Sequence, residues 1–175
     1  MKKFSGYTLI ELIVAIGLFA LIMTLVSGAY IMMIGLTRQA QSMATGIDNL
    51  SFALETMTRT IRTGTHYSCD SNGDCTTGGS GFSVVKANGA TVYYALSVQN
   101  GSGTITQNGI TLTDPSVNVT SLTFYASGTK SESAGDEQHL QPHVTIIVSG
   151  TISSGPGKIQ PFSVETGATM RSIDL

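Results

Sequence analysis

Charged side chains are scarce in this chain. They make up 11% of its 175 residues, against roughly 25% in ordinary soluble domains. Serine, threonine, glycine and asparagine supply the polarity instead, which is typical of β-structure and loops outside the cytoplasm. The net charge is −2, and the few basic residues are scattered along the sequence. The composition therefore gives no reason to expect nucleic acid as a direct partner.

Cysteine is nearly absent as well, since Cys69 and Cys75 are the whole set. There is no Cys-x-x-Cys motif and no second pair, which argues against a structural zinc site. In an exported protein, a lone close pair indicates a disulfide that closes a surface loop. We therefore expect these two cysteines to be bonded to each other.

Between the cysteines, Asp70, Asn72 and Asp74 have the oxygen-ligand spacing of the first half of a calcium-binding loop. Such a loop needs glycine at its sixth position and glutamate at its twelfth, but Cys75 and Gly81 stand there. We expect a polar turn closed by the disulfide, with no cofactor. Calcium binding is the alternative.

Motifs for catalysis are also missing. The sequence has no Gly-x-Ser-x-Gly elbow, and the glycine-rich segment 78–81 lacks the lysine of a phosphate-binding loop. We interpret that segment as a flexible connector. His139 and His143 flank Pro142, which excludes a regular helix that would present both histidines to one metal ion. They are predicted to be loop residues without a role, and no enzymatic activity is expected.

No lysine or arginine occurs between Lys3 and Arg38. The basic head predicts a cytoplasmic N-terminus with the remainder of the chain crossing outward. The apolar run from Leu12 to Leu36 has 25 residues, enough to span a hydrocarbon core of roughly 30 Å. This run is too long for a secretory signal peptide, and the small residues precede it. A peptidase would therefore cut before the run and leave a membrane helix on the mature protein.

Proline is absent between Tyr7 and Arg62, so one helix of about 55 residues is predicted, with Gly64 as its stop. Its first part, 7–36, is apolar all round, and its second part, 37–63, is amphipathic. The apolar stripe of the second part consists of Met43, Ile47, Leu50, Leu54, Met57 and Ile61. Three glycines interrupt the apolar part, namely Gly17, Gly28 and Gly35. They favour either close helix packing or local melting of the helix, chiefly at Gly28.

The remainder of the chain, 64–175, has the pattern of short β-strands separated by Asn-Gly dipeptides, which are strong hairpin signals. Strands are predicted at 82–85, 91–98, 103–106, 110–113, 117–125 and 144–148, with one or two more within 162–173. The polar segment from Ser127 to Gln141 is predicted to be a mobile loop. An antiparallel sheet needs a cover for its apolar face, and the amphipathic helix is the available one. The predicted fold class is therefore α+β.

The segment Gly6-Tyr7-Thr8-Leu9-Ile10-Glu11 places a carboxylate near the start of the apolar run. An ionisable group there costs roughly 2.5–3.5 kcal/mol on insertion scales, which marks a functional site. The segment resembles the class III signal of type IV pilins and type II secretion pseudopilins. The resemblance implies cleavage by prepilin peptidase after Gly6, methylation of the new N-terminus at Tyr7, and an assembly role for Glu11. The first mature residue of the family is usually Phe, so Tyr7 is a departure from it.

A second resemblance concerns the end of the helix and one strand. The segments 52–55 and 119–124 are similar to PilW-like minor pilins and to the J-type pseudopilin. This resemblance implies a pilin-like fold with an antiparallel β-domain. Members of the family often carry proline where this chain has Gly28.

Cleavage after Gly6 would create an amine on Tyr7 close to the Glu11 carboxylate. In a filament, Glu11 of an incoming subunit is expected to pair with the Tyr7 amine of a neighbour, because an unpaired buried charge costs several kcal/mol. The domains expected are a leader (1–6), a membrane and filament-core helix (7–36), an amphipathic helix (37–63) and an extracytoplasmic β-domain (64–175).

The expected function is that of a minor structural subunit of a type IV pilus or a type II secretion pseudopilus. The protein would reside in the inner membrane until assembly. Its expected partners are other subunits, prepilin peptidase and the inner-membrane assembly platform. Two alternatives remain open: a ligand-binding or sensor module on a signal-anchor helix, and a subunit of a competence pilus for DNA uptake.

Overall fold

The computed structural model describes residues 6–70, 75–128, 141–155 and 158–171. Across these residues the chain forms one α-helix followed by nine β-strands, and the α+β class predicted from the sequence is confirmed. The elements are α1 (Leu9–Thr63), β1 (Thr65–Cys69), β2 (Cys75–Gly79), β3 (Gly81–Val85), β4 (Thr91–Gln99), β5 (Ser102–Gln107), β6 (Ile110–Thr111), β7 (Val117–Ser127), β8 (His143–Ser153) and β9 (Ile159–Thr169).

Helix α1 has 55 residues, as the sequence predicted. Thr8 caps its N-terminus, because the Thr8 carbonyl accepts from the Leu12 amide at 3.2 Å and the Thr8 hydroxyl accepts from the Glu11 amide at 3.4 Å. The helix ends one residue before Gly64, whose amide donates to the Ile61 carbonyl at 3.2 Å. The chain divides into two compact units, the first extending to Ala40 and the second beginning at Gln41.

The first unit consists of the apolar part of α1. Its large apolar side chains are exposed, and the first buried residue of α1 is Gly46, in the second unit. A Cβ added at Gly17, Gly28 or Gly35 would meet nothing within 4 Å. These glycines are therefore not required by packing within the chain itself.

The second unit contains two antiparallel sheets, where the sequence suggested one. Sheet A has the strand order β1-β3-β4-β5-β6, and sheet B has the order β2-β7-β8-β9. The single-sheet expectation was wrong because β1 and β2, which follow each other in the chain, pair with different partners. β1 pairs with β3 and β2 pairs with β7.

The sheets share one core. Phe82 of sheet A stacks on Phe124 of sheet B, with 5.3 Å between the ring centroids, and on Tyr67 at 5.9 Å. The second half of α1 covers this core with Leu50, Leu54, Met57 and Ile61, as the stripe predicted, and also with Gly46 and Ala53. Ile47 was wrongly included in the stripe, since 47% of it is exposed.

The predicted Asn-Gly hairpins are present. Asn100 and Gly101, between β4 and β5, have φ values of 51° and 79°. Asn108 and Gly109, between β5 and β6, have φ values of 50° and 80°. Positive φ at both central residues is the requirement of a type I′ turn, which Asn-Gly meets at low cost.

Several predicted strand boundaries need correction. β6 covers only Ile110–Thr111 of the predicted 110–113. β8 extends from His143 to Ser153, well beyond the predicted 144–148. β7 includes Ser127, and positions 129–140 of the predicted loop lie outside the described residues. Of the one or two strands predicted within 162–173, the structure has one, β9. Positions 172–175 lie outside the described part of the chain.

Candidate functional site

The first candidate site is the segment that precedes α1. Gly6 and Tyr7 are exposed and precede the first helical turn, with 87% of Tyr7 accessible. A Cβ at Gly6 would meet nothing within 4 Å. The peptide bond between these two residues therefore lies in exposed, non-helical chain.

Glu11 lies in the first turn of α1 and is exposed. A carboxylate at this end of a helix interacts favourably with the partial positive charge of the free amides. Among the described residues Glu11 forms no ion pair, and the next basic residue along the chain is Arg38. The nitrogen of Tyr7 lies four residues earlier, but it becomes a charged amine only after cleavage of the Gly6–Tyr7 bond.

Behind this segment, α1 presents an apolar surface. Of the elements that the structure describes, α1 is the one helix long and apolar enough to cross a membrane, and none of that apolar stretch is buried inside the chain. Its exposed side chains include Ile13, Phe19, Leu25 and Ile31. A surface of this length is stable only against lipid or against other apolar helices.

The cysteines are bonded, as predicted, but not at the surface. Cys69 ends β1 and Cys75 begins β2, with their Cα atoms 5.9 Å apart. Both are buried, 6% and 8% exposed. The bond therefore closes the segment between β1 and β2, and it also links the edge strand of sheet A to the edge strand of sheet B.

Asp70 anchors the turn that follows Cys69. One oxygen of its carboxylate accepts from the Ser80 amide at 2.8 Å and the Ser80 hydroxyl at 3.0 Å, and the other accepts from the Tyr93 hydroxyl at 3.4 Å. Burial acts to raise the pKa of Asp70, but these bonds and one from the Gly81 amide outweigh it, so the pKa is lowered.

This arrangement bears on the calcium alternative. Both carboxylate oxygens of Asp70 already accept hydrogen bonds, while Asn72 and Asp74 lie outside the described residues. No group of three metal-ligating side chains occurs in the part of the chain that the structure describes.

The glycine-rich segment is not a flexible connector, which corrects its interpretation from sequence. Gly78 and Gly79 end β2, and Gly81 begins β3, where it pairs with Ala95. A Cβ at Gly81 would overlap the Tyr93 hydroxyl and the Asp70 carboxylate. Glycine is needed here because the Asp70 turn approaches β3 closely.

Of the two histidines, His139 lies outside the described residues. His143 is the first residue of β8 rather than a loop residue, and its ring lies within hydrogen-bonding distance of Thr169 (3.1 Å) and Thr145 (3.2 Å). Paired with Thr169 across the strands, it forms part of the exposed face of sheet B.

A further site was missed from the sequence. The last turns of α1, the end of β9 and Arg171 line an open cleft of about 530 Å³, whose lining includes Arg59, Arg62 and Arg171 together with Glu55 and Thr169. The basic residues are scattered in sequence, but the fold gathers these three. No periodic pattern connects the end of the helix to Arg171, so no sequence signal could have found this cleft.

Comparison with known families gives one match. Residues 1–27 match the prokaryotic N-terminal methylation motif. Neither the curated proteins nor the solved structures gave a match to the chain. The motif and the fold together support a type IV pilin-like or pseudopilin protein that is anchored in a membrane, is processed by prepilin peptidase and assembles with other pilin subunits.

Proposed function

We propose that this chain is a structural subunit, of the minor pilin or pseudopilin class, of a type IV pilus or a type II secretion pseudopilus. The observation that carries the proposal is the methylation motif of residues 1–27 at the start of a helix whose apolar surface has no cover within the chain. An apolar helix of this kind requires lipid before assembly and other helices after it.

Processing is the first step. Cleavage between Gly6 and Tyr7 would remove the basic head, and with it the charges that hold the N-terminus on the cytoplasmic side of the inner membrane. It would also convert the Tyr7 nitrogen into an amine, which methylation leaves charged. The exposed, non-helical backbone at Gly6 supports this step.

Assembly is the second step. Glu11 lacks an ionic partner among the described residues, and a neighbour's Tyr7 amine would supply one. Burying either charge alone in the filament core would cost several kcal/mol, so the pair would fix the register of the incoming subunit. The β-domain would remain outside the core, and the inner-membrane assembly platform would supply the site of addition.

The intact mass of the membrane-extracted protein tests the processing step. We expect loss of residues 1–6 and gain of one methyl group when prepilin peptidase is coexpressed. Gly6→Val is the matched control, since a bulky residue at the cleavage site should leave the leader attached. An intact leader on the wild-type chain would contradict the proposal and favour a sensor module on a signal anchor.

Crosslinking between subunits tests the assembly step. We expect Glu11→Leu to insert into the membrane but to lose incorporation into filaments by tenfold or more, since the penalty for one unpaired charge exceeds about 1.4 kcal/mol. Glu11→Asp, which keeps the charge, should retain most of it. Normal incorporation of the Glu11→Leu protein would contradict the pairing.

A further inference from the structure

Asn-Gly pairs form the turns between the strands of sheet A, and the described pairs are Asn88-Gly89, Asn100-Gly101 and Asn108-Gly109. All six of these residues are exposed, and a Cβ added at any of the three glycines would meet nothing within 4 Å. The three turns therefore do not differ in exposure or in the space around the glycine. A further pair, Asn72-Gly73, lies outside the described residues.

An asparagine that precedes a glycine can undergo an intramolecular reaction. The amide nitrogen of the glycine, after a base has removed its proton, bonds to Cγ of the asparagine. The side-chain nitrogen takes up a proton from water and leaves as ammonia. Water then opens the resulting succinimide at either carbonyl, which gives aspartate or isoaspartate. Glycine favours the reaction because it has no Cβ to hinder the attack and its backbone is conformationally permissive.

Ring closure requires the chain to leave the turn. Asn100 and Asn108 have φ values of 51° and 50°, and the left-handed conformation has ψ near +47°. That value places Cβ on the far side of the Cα–C bond from the next nitrogen. The reaction therefore proceeds from locally opened states of the hairpin, and its rate depends on how firmly each turn is held.

The Asn108 turn is held by its own side chain. The side-chain oxygen of Asn108 accepts from the Tyr93 amide at 2.7 Å, and its side-chain nitrogen donates to the Thr91 carbonyl at 3.4 Å. The backbone amide of Asn108 also donates to the Tyr93 carbonyl at 2.8 Å. To reach the ring geometry, this side chain has to break both of its hydrogen bonds to β4.

The Asn88 turn is held at both reacting groups. The side-chain oxygen of Asn88 accepts from the Ala90 amide at 3.1 Å. The Gly89 amide, which is the nucleophile at this site, donates to the Lys86 carbonyl at 2.8 Å. The Lys86 amide in turn donates to the Ala90 carbonyl at 2.9 Å and closes the turn. Attack at Asn88 therefore requires the loss of a backbone bond as well as a side-chain bond.

The Asn100 turn has neither restraint. Within the described residues, no hydrogen bond involves the Asn100 side chain, and the Gly101 amide donates none. The turn is closed by the ladder between β4 and β5, in which Gln99 pairs with Ser102. Val98, which precedes this pair on β4, has 64% of its surface exposed. Opening of this hairpin tip therefore breaks no side-chain hydrogen bond and exposes little additional apolar surface.

We propose that Asn100 is a site of spontaneous deamidation in the folded protein and that it reacts faster than Asn88 and Asn108. The nucleophile is the Gly101 nitrogen, the electrophile is Cγ of Asn100, the leaving group is ammonia and the co-reactant is water. The inference does not depend on the proposed function, because the reaction needs only the turn and solvent. We expect Asn100 to react about tenfold faster than Asn108, since two further hydrogen bonds have to break at Asn108.

The two products should affect the hairpin differently. Aspartate tolerates the left-handed conformation much as asparagine does, so it should keep the turn and add one negative charge to a chain of net charge −2. Isoaspartate carries the main chain through its side-chain carbons, which lengthens a two-residue turn by one atom. Because loop length fixes the register of a hairpin, isoaspartate should release the pairing of Gln99 with Ser102.

Peptide mapping by mass spectrometry tests the rate order on the full-length chain in detergent. One sample is folded and another is unfolded in guanidinium chloride, and both are kept in the same mildly alkaline buffer. The three pairs should react at similar rates when unfolded. In the folded sample, Asn100 should keep the largest share of its unfolded rate, with Asn88 and Asn108 slowed about tenfold further. Asn118, which is partly buried and precedes a valine, is the internal control and should not react over the same period.

Hydrogen exchange of β4 and β5 tests the effect on the hairpin. Exchange at the Ser102 end should become faster as the wild type ages. Asn100→Gly is the matched control, because Gly-Gly also suits a type I′ turn but has no side chain to react, so its exchange should not change with age. Asn100→Asp should resemble the wild type before ageing, which separates the added charge from the lengthened turn.

The outcomes decide the proposal. Faster conversion at Asn100 in the folded chain, with an ageing effect that Asn100→Gly abolishes, would support it. Conversion at Asn88 or Asn108 that equals or exceeds conversion at Asn100 in the folded chain would overturn it. An oxidised disulfide and an unchanged melting temperature at the start of incubation verify that the sample is folded.

Discussion

Gly46 of α1 lies directly against Ile152 of β8. A Cβ added at Gly46 would overlap Cγ2 of Ile152 and lie 3.2 Å from its Cγ1. Ile152 is 1% exposed and so has little space into which to move. The absence of a side chain at Gly46 lets the helix approach sheet B.

This contact predicts the effect of enlarging Gly46. Gly46→Leu should lower the free energy of unfolding of the second unit by about 1–3 kcal/mol, the usual cost of overpacking a core. Gly46→Ala should cost less, because the gain in helix propensity of about 1 kcal/mol offsets the clash. Chemical denaturation of the full chain in detergent measures both. Ser51→Ala, on the exposed face of α1, is the control and should change stability by less than about 0.5 kcal/mol.

A second prediction concerns the hydroxyl of Tyr67. It donates to the carbonyls of Ile61, at 2.6 Å, and Gly64, at 2.9 Å, at the end of α1. Tyr67→Phe leaves these carbonyls without that donor and should cost about 1–2 kcal/mol of stability. Tyr125→Phe, on a partly exposed ring, is the matched control and should be nearly neutral.

The Tyr67 hydroxyl also makes the stability of the fold depend on pH. Burial raises the pKa of Tyr67 from 10.0 to about 12. Because the folded pKa is raised, the stability associated with the neutral phenol is complete below pH 10 and is lost as the pH rises towards 12. Melting temperatures of the wild type should fall over this window more steeply than those of Tyr67→Phe. Equal slopes would show that Tyr67 is not the group responsible.

The disulfide should stabilise the second unit by about 2 kcal/mol, the loop-entropy value for so short a loop. Replacing Cys69 and Cys75 together by alanine should lower the melting temperature accordingly. Reductant should lower the melting temperature of the wild type but not that of the double variant. If reductant has no effect on a wild type with verified free thiols, the link between the sheets does not contribute to stability.

The lowered pKa of Asp70 predicts that the folded state loses stability in acid. Its pKa is lowered from the ordinary 3.8 because hydrogen bonds from Ser80, Gly81 and Tyr93 outweigh the effect of burial. With a lowered folded pKa, the contribution is present above pH 3.8 and is lost as the pH falls through the folded value. Asp70→Asn should therefore lower the melting temperature at pH 7, and the difference from the wild type should shrink below pH 4. Glu165→Gln, an exposed carboxylate on β9, should show no such convergence.

The calcium alternative can be tested on the same proteins. Because both oxygens of Asp70 already accept hydrogen bonds, we expect millimolar calcium to leave the melting temperature unchanged. A rise in the wild type that Asp70→Asn abolishes would overturn this expectation and favour a site that includes Asn72 and Asp74.

The elements with a strong local signal were predictable from sequence. An unbroken apolar run specified α1, and paired Asn-Gly turns specified the hairpins of sheet A. The strands β1 and β2 were missed because Thr65–Cys69 and Cys75–Gly79 are polar or glycine-rich and lack alternation. Their conformation comes from pairing with β3 and β7 and from the disulfide between them, which are tertiary effects.

The candidate sites show the same contrast: a site that is contiguous in the sequence was predicted, and a site assembled by folding was missed. The processing segment is contiguous, so residues 6–11 indicated it directly. The cleft at the end of α1 combines Arg62 with Arg171, which are far apart in the sequence and are brought together by folding, where a backbone hydrogen bond joins them. Ile47 was misplaced because the apolar stripe was assigned by side-chain type, and Gly46, which has no side chain, is the residue that faces Ile152.

The disulfide between β1 and β2 also limits how far the chain can lengthen under load. When the chain is pulled from both ends, it can release contour length only from residues outside the closed loop 69–75. The six peptide units within it would span roughly 20 Å when fully extended, and the disulfide spans 5.9 Å between the two Cα atoms, so the bond withholds roughly 15 Å. Single-molecule stretching should therefore give a shorter final extension for the oxidised protein than for the reduced one.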